Sequence, residues 1–271
     1  MREAQWLLAG CVLAGLCLAR AAHAQEEIAS PFEDHFRLTS GLLSTTTETE
    51  LRLDADDGTP GTLVSGESDL GLREKSEQAD IEAELRIRER HHVRFNYFRL
   101  DRSAAKVIER QIQFGNDVFD VNDLAETSLD WREFSVTYAY TFLRRESFEL
   151  YGSFGIHLLE ARAQGEVRAE DIREDEAEAA PIPALGIGTL IRFSDRFHFE
   201  ARVDYLDVSI DDFTGTLLDV RGAVLFRFNR NLAVGAAYVL MEREGTSEDA
   251  DDSGVFNLHN SGPELFLRVA F

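Results

Sequence analysis

The sequence predicts an all-β chain: a transmembrane antiparallel up-and-down β-barrel of ten strands, with eight as the alternative. Three observations point there. Apolar and polar residues alternate at period two, as in strands with two different faces. Short charged turns alternate with longer polar loops, the rhythm of barrels that cross a membrane. Beyond residue 24 no apolar stretch approaches the ~20 residues of a spanning helix. The longest, 179–191, is interrupted by Pro181 and Pro183.

In chain order, Arg2, the apolar run from Trp6 to Ala19 and the small-residue site Ala22-His23-Ala24 read as a secretory signal over residues 1–24. A short segment, 25–34, would precede a barrel domain over 35–271. Both cysteines, Cys11 and Cys17, fall in the signal, so the exported chain would carry no disulfide, thiol nucleophile or cysteine metal site.

Alternation is clearest in four stretches. Ile81, Ala83, Leu85 and Ile87 alternate with Glu82, Glu84, Arg86 and Arg88. Phe134 to Phe142, Phe197 to Tyr205 and Leu218 to Phe228 repeat the pattern. Tight turns are expected at 89–92, 144–146, 194–196 and 229–231, and longer loops near 54–69, 115–127, 166–180, 211–215 and 242–258. Five out-and-back units give ten strands, with both termini on the tight-turn side. The 103–127 region patterns poorly, which keeps eight strands open.

The last strand places Leu265, Leu267, Val269 and Phe271 on one face. An alternating apolar strand ending in a terminal Phe resembles the assembly signal of small Gram-negative outer-membrane β-barrel proteins. The resemblance spans about residues 35–271 and is to the broad class. It implies location in the cell outer membrane, periplasmic tight turns, extracellular loops and recognition by the barrel-insertion machinery. Outer-membrane lipid and lipopolysaccharide would be the surroundings of a monomer.

The chain carries 28 basic and 50 acidic residues, a formal charge of −22. Nearly all of the excess falls in the expected loops. The polar strand faces are close to balanced, and a ten-stranded barrel is narrow. Glu82, Glu84, Arg86, Arg88, Arg94, Glu200, Arg202, Asp204, Asp219, Arg221, Arg227 and Arg268 are therefore expected to form a lumen network. Unpaired buried charge costs several kcal/mol, so they should pair and plug the barrel. Acidic loops repel phosphate, which argues against nucleic acid as a partner.

Sites of chemistry are sparse. No cofactor is expected beyond Ca²⁺ or Mg²⁺ held loosely at the acidic loops. Asp249, Asp251 and Ser253 match the first half of an EF-hand loop, D-x-D-x-S-G, but position twelve is Asn260. His259 and Ser261 form an H-x-S pair at the loop end of the last strand, resembling that of lipid A deacylases. Ten strands also resemble the omptin proteases, with Asp211, Asp212, Asp251, Asp252 and His259 as rim groups. The reading favoured by the residues is a non-catalytic structural or surface-interaction barrel. A rim-site hydrolase and a narrow solute channel are the alternatives.

Overall fold

The computed structural model describes residues 30–167, 179–249 and 252–271, and no side chain within 161–180 or 250–252. The expected signal over 1–24 lies outside the described residues. After a 3-10 turn at Pro31–Glu33 come thirteen strands: β1 (Phe36–Leu53), β2 (Val64–Ser65), β3 (Lys75–Ile87), β4 (His91–Val107), β5 (Ile112–Phe114), β6 (Asp117–Phe119), β7 (Leu124–Arg144), β8 (Phe148–Val167), β9 (Ala179–Arg192), β10 (Phe197–Ile210), β11 (Phe213–Arg227), β12 (Leu232–Asp249) and β13 (Asp252–Ala270). Ten are staves of one antiparallel sheet that closes on itself where β1 meets β13. The small strands β2, β5 and β6 belong to the loop end. The backbone of Phe271 completes the seam, donating to Phe36 O at 2.9 Å and accepting from Phe36 N at 3.1 Å.

Stagger follows from the register. From partner to partner around the wall, Phe36 leads through Leu85, Val93, Tyr138, Phe154, Leu185, Tyr205, Leu218, Glu242 and His259 back to β1 at Glu48. The circuit returns 12 residues higher, between positions 36 and 48. With ten strands this stagger implies a tilt of about 40° and about 2.5 Å of height per residue.

Two seams stop short. β3 and β4 pair only as far as Asp80 and Phe98, and β9 and β10 only as far as Leu185 and Tyr205. Below those rows the wall is a closed cylinder. Above them it parts into two sheets: β4–β7–β8–β9 on one side and β10–β11–β12–β13–β1–β3 on the other. The prolines explain one seam. Leu185 pairs with Tyr205, so the residues in the same phase above it on β9 are Pro183 and Pro181. Neither has an N–H to donate to β10. The other seam is covered by segment 54–74, where Arg102 donates to Arg73 O and Thr49 Oγ1 and pairs with Glu67.

Several expected loops differ. The stretch 211–215 holds a two-residue turn at 211–212, and most of 242–258 lies on the paired strands β12 and β13. Exposed acidic residues sit there on strands because both strands rise past the lipid into water, where polar residues are compatible with pairing. The 115–127 stretch contains β6, the second strand of the β5–β6 hairpin, and the start of β7.

Candidate functional site

Three places carry chemistry: the lower lumen, the space between the two upper sheets, and the outer wall near the top of β13.

The lower lumen is a lattice of arginine–carboxylate pairs. Arg86 donates two bonds to Glu149, at 3.0 and 3.1 Å. Arg94 meets Asp204 at 3.0 Å, Arg202 meets Glu82 at 2.6 Å, and Arg221 meets Glu264 at 2.9 Å. Arg268 holds Glu200 through both carboxylate oxygens, and Arg227 pairs with Asp34. Arg37 bridges Asp34 and Glu84, and Glu84 also accepts from His92. Glycines make room: a methyl group on Gly41 would lie 2.4 Å from Glu264, and one on Gly235 would lie 2.2 Å from the Phe266 ring. Phe266 in turn faces Arg221 at 4.7 Å. Cavities of about 40 and 70 Å³ remain, room for a few waters.

Eleven of the twelve expected network residues point into this lumen. The exception is Arg88, which lies exposed in the β3–β4 turn with φ +62°. Strand periodicity ends at Ile87, so the next alternating position has no wall to face. Sequence reasoning also missed Arg243. It was counted with a loop, yet it is buried and holds Glu133 at 2.9 Å and Asp219 at 2.9 Å. Glu133 also accepts from His157 at 2.7 Å. These groups come from β7, β8, β11 and β12, and no local pattern links them. Glu133, His157 and Asp219 are close enough for a metal ion. Arg243 already neutralises both carboxylates from within that cluster, so the donor set fits an arginine better than a cation.

The upper interior holds an apolar core, contrary to the expectation of a polar lumen throughout. Phe98, Leu100, Trp131, Leu159 and Ile182 of one sheet pack against Leu43, Val239, Met241, Phe256 and Leu258 of the other. The Trp131 and Phe256 rings stack at 5.3 Å with planes 3° apart. Two sheets with interdigitated inner faces make a sandwich, so the loop end is a packed turret above a charged barrel. Val64, Ile108, Ile112 and Ala125 form a second small core under the cap. On that cap Arg110 donates to Asp69 at 2.6 and 3.0 Å and holds its carboxyl below the ordinary 3.8. Burial pushes Asp54 up, but bonds from the Gly61 N–H and the Ser253 hydroxyl outweigh it and leave its carboxyl low.

The metal candidates do not form a calcium loop. Asp249 and Asp252 pair across the β12–β13 hairpin, the Ser253 hydroxyl donates to Asp54 at 2.8 Å, and Asp251 lies outside the described residues. The twelfth position, Asn260, is buried inside the barrel and accepts from Thr47 at 3.0 Å. Nor do the omptin-like rim groups assemble. Asp211 and Asp212 occupy the β10–β11 turn, while His259 projects from the outer wall.

His259 and Ser261 share that outer face, about 25–30 Å above the tight turns. Glu242, directly opposite on β12, lies 3.2 Å from His259 Nδ1, and Glu48 is opposite on β1. No hydrogen bond joins His259 to Ser261 among the described residues.

Below this level the outer face is apolar. Phe134, Val136, Tyr138, Tyr140 and Phe142 on β7, and Phe154, Ile156 and Leu158 on β8, project outward. So do the expected assembly-signal residues Leu265, Leu267 and Phe271, with Leu265 68% exposed. Exposed apolar residues occur on every stave, and on β7 they run from Phe134 to Phe142, a height of roughly 20–25 Å that matches a bilayer interior. Arg99, Asp101, Asp130 and Arg132 begin the polar wall above it. A closed wall leaves no unpaired backbone edge in lipid.

The closed ten-stave wall and its apolar belt are the geometry of a β-barrel that spans a membrane.

No family model matches it, and no curated protein matches it. Among solved structures it is similar in fold to the outer-membrane protease OmpT of Escherichia coli, with TM-score 0.49 and 10% identity over 92% of this chain and 100% of that one. It is also similar to neisserial surface protein A, with TM-score 0.33 and 13% identity over 88% and 97%. Ail of Yersinia pestis gives TM-score 0.34 and 10% identity over 84% and 99%.

Proposed function

We propose that the barrel is a non-conducting membrane anchor that displays a rigid two-sheet turret as a surface-interaction platform, without catalysis. One observation carries this: the interior is filled twice over, by paired charges below and by the Trp131–Phe256 core above. Barrels of about eight strands can be filled by side chains alone, and open channels appear only at larger strand numbers. The experiment is refolded protein in planar bilayers. The expected record is flat; stable unitary conductance steps would overturn the reading.

A second reading is favoured by the Glu242–His259 pair. A carboxylate that orients a histidine, with a serine two residues on, is the set of parts for ester cleavage. Here they face the lipid headgroup level. Ser261 Oγ would attack an acyl ester carbonyl while His259 takes its proton, and the alcohol would leave with that proton before water releases the acyl group. Incubation with lipopolysaccharide tests it. Fatty acid release that is lost in Ser261→Ala would support this reading, and no release would remove it.

A further inference from the structure

The upper seam between β9 and β10 leaves one strand edge without a partner among the described residues. The β10–β11 turn at 211–212 closes on the pair Ile210–Phe213, with Asp211 at φ +50°. In such a two-residue hairpin Ile210, Val208 and Leu206 turn their backbone groups toward β11, and Ser209 and Asp207 turn theirs the other way. Tyr205, in the same phase, does pair with Leu185 on β9. Continuing that register would set Asp207 opposite Pro183 and Ser209 opposite Pro181, which supply no N–H. The prolines therefore blunt one side of the seam and leave the other side intact.

That intact edge lies at the upper margin of the apolar belt, reachable from water. Its side chains alternate: Leu206 and Val208 are half-buried and face inward, while Asp207 and Ser209 are exposed. Asp211 and Asp212 at the turn are exposed as well, beside Ile210 and Phe213.

We propose that the β10 edge at Asp207 and Ser209 is a docking strand for an extended, basic peptide of a partner protein. Strand addition uses main-chain bonds for affinity and alternate side-chain positions for specificity. Apolar residues of the peptide would meet Leu206 and Val208, and its cationic residues would meet Asp207, Asp211 and Asp212. A second copy of this chain fits poorly, because two such edges would bring the same aspartates together. The inference rests on the platform reading and names its partner class.

The probe is a fluorescent decapeptide of alternating Lys and Val, titrated by anisotropy against the refolded full chain in detergent. Its competitor in the argument is the same peptide N-methylated at alternate residues, which keeps the charge but removes edge donors. Saturable binding that weakens at least about tenfold on N-methylation is expected. Ser209→Pro should weaken binding similarly, because it removes an edge N–H without touching the β11 ladder, and Ser209→Ala should leave it unchanged. Equal binding of the two peptides to the wild-type chain would overturn the proposal by showing attraction through charge alone. So would no binding at all. Neither result touches the flat bilayer record, so the platform reading stands or falls separately.

Discussion

The lower barrel and the upper turret are built from the same ten strands but held together by different forces. Below Leu185 and Phe98 the wall is closed, its outside is apolar and its inside is charged. Above them the wall is parted, its outside is polar and its inside is built around an apolar core. The faces exchange roles where the solvent does. In lipid the hydrophobic effect gives an inward apolar side chain no advantage, and every backbone group must be paired, so closure is compulsory. In water the ordinary rule returns, and two sheets gain by burying their apolar faces against each other. Open seams are tolerable only there.

The largest expected effect breaks the lower half. Arg221→Ala strands the buried Glu264 carboxylate and should cost about 3–5 kcal/mol. Replacing both residues, as Arg221→Met with Glu264→Leu, should restore most of that loss, because the pair itself offers little net gain. Urea unfolding in phospholipid vesicles measures both. If the double replacement is as damaging as the single one, ion pairing is not what the lower lumen needs.

The corresponding change above is Trp131→Ala, which removes one side of the stack with Phe256. It should cost about 3 kcal/mol. Hydrogen exchange should then rise across both upper sheets while the rows below Leu185 keep their protection. A uniform rise would show that turret and barrel are one cooperative unit.

A gain of stability is expected at the seam. Pro181→Ala with Pro183→Ala restores two N–H donors opposite Ser209 and Asp207. About 1–2 kcal/mol should follow if β9 and β10 zip, with new exchange protection at those amides. No new protection would mean that something other than the prolines keeps the strands apart.

The smallest effect concerns pH. Asp54 and Asp69 have carboxyl groups held below the ordinary 3.8. A depressed folded value stabilises above the unfolded one and is lost as pH falls through the folded one. The cap formed by segment 54–74 should therefore loosen below about pH 4. Asp69→Asn should flatten that dependence, read as exchange at the amides of Ser65 and Leu72.

Much of the lower half was legible in the sequence. The alternations at Ile81–Ile87 and Phe134–Phe142 place apolar residues outward and Glu82, Arg86 and Thr137 inward, because a two-residue period leaves each side chain only one face to occupy. The upper half was not. There Trp131, Leu100 and Leu258 point inward on the opposite sense of alternation, and a polar stretch such as 242–258 reads as loop when judged by lipid rules. Arg243 was misplaced for that reason.

The sequence by itself determined the alternating strands, the tight turns and the charged inner face of the membrane portion, and it favoured ten staves over eight. Period-two patterning and turn chemistry are local, and they survive without knowledge of neighbours. Only the tertiary structure decided which arginine meets which carboxylate, and that Arg243 joins Glu133 from five strands away, on the opposite side of the wall. It also decided that the wall parts above Tyr205. Those outcomes depend on the stagger of the closed sheet, a property of the whole circuit that no single strand encodes.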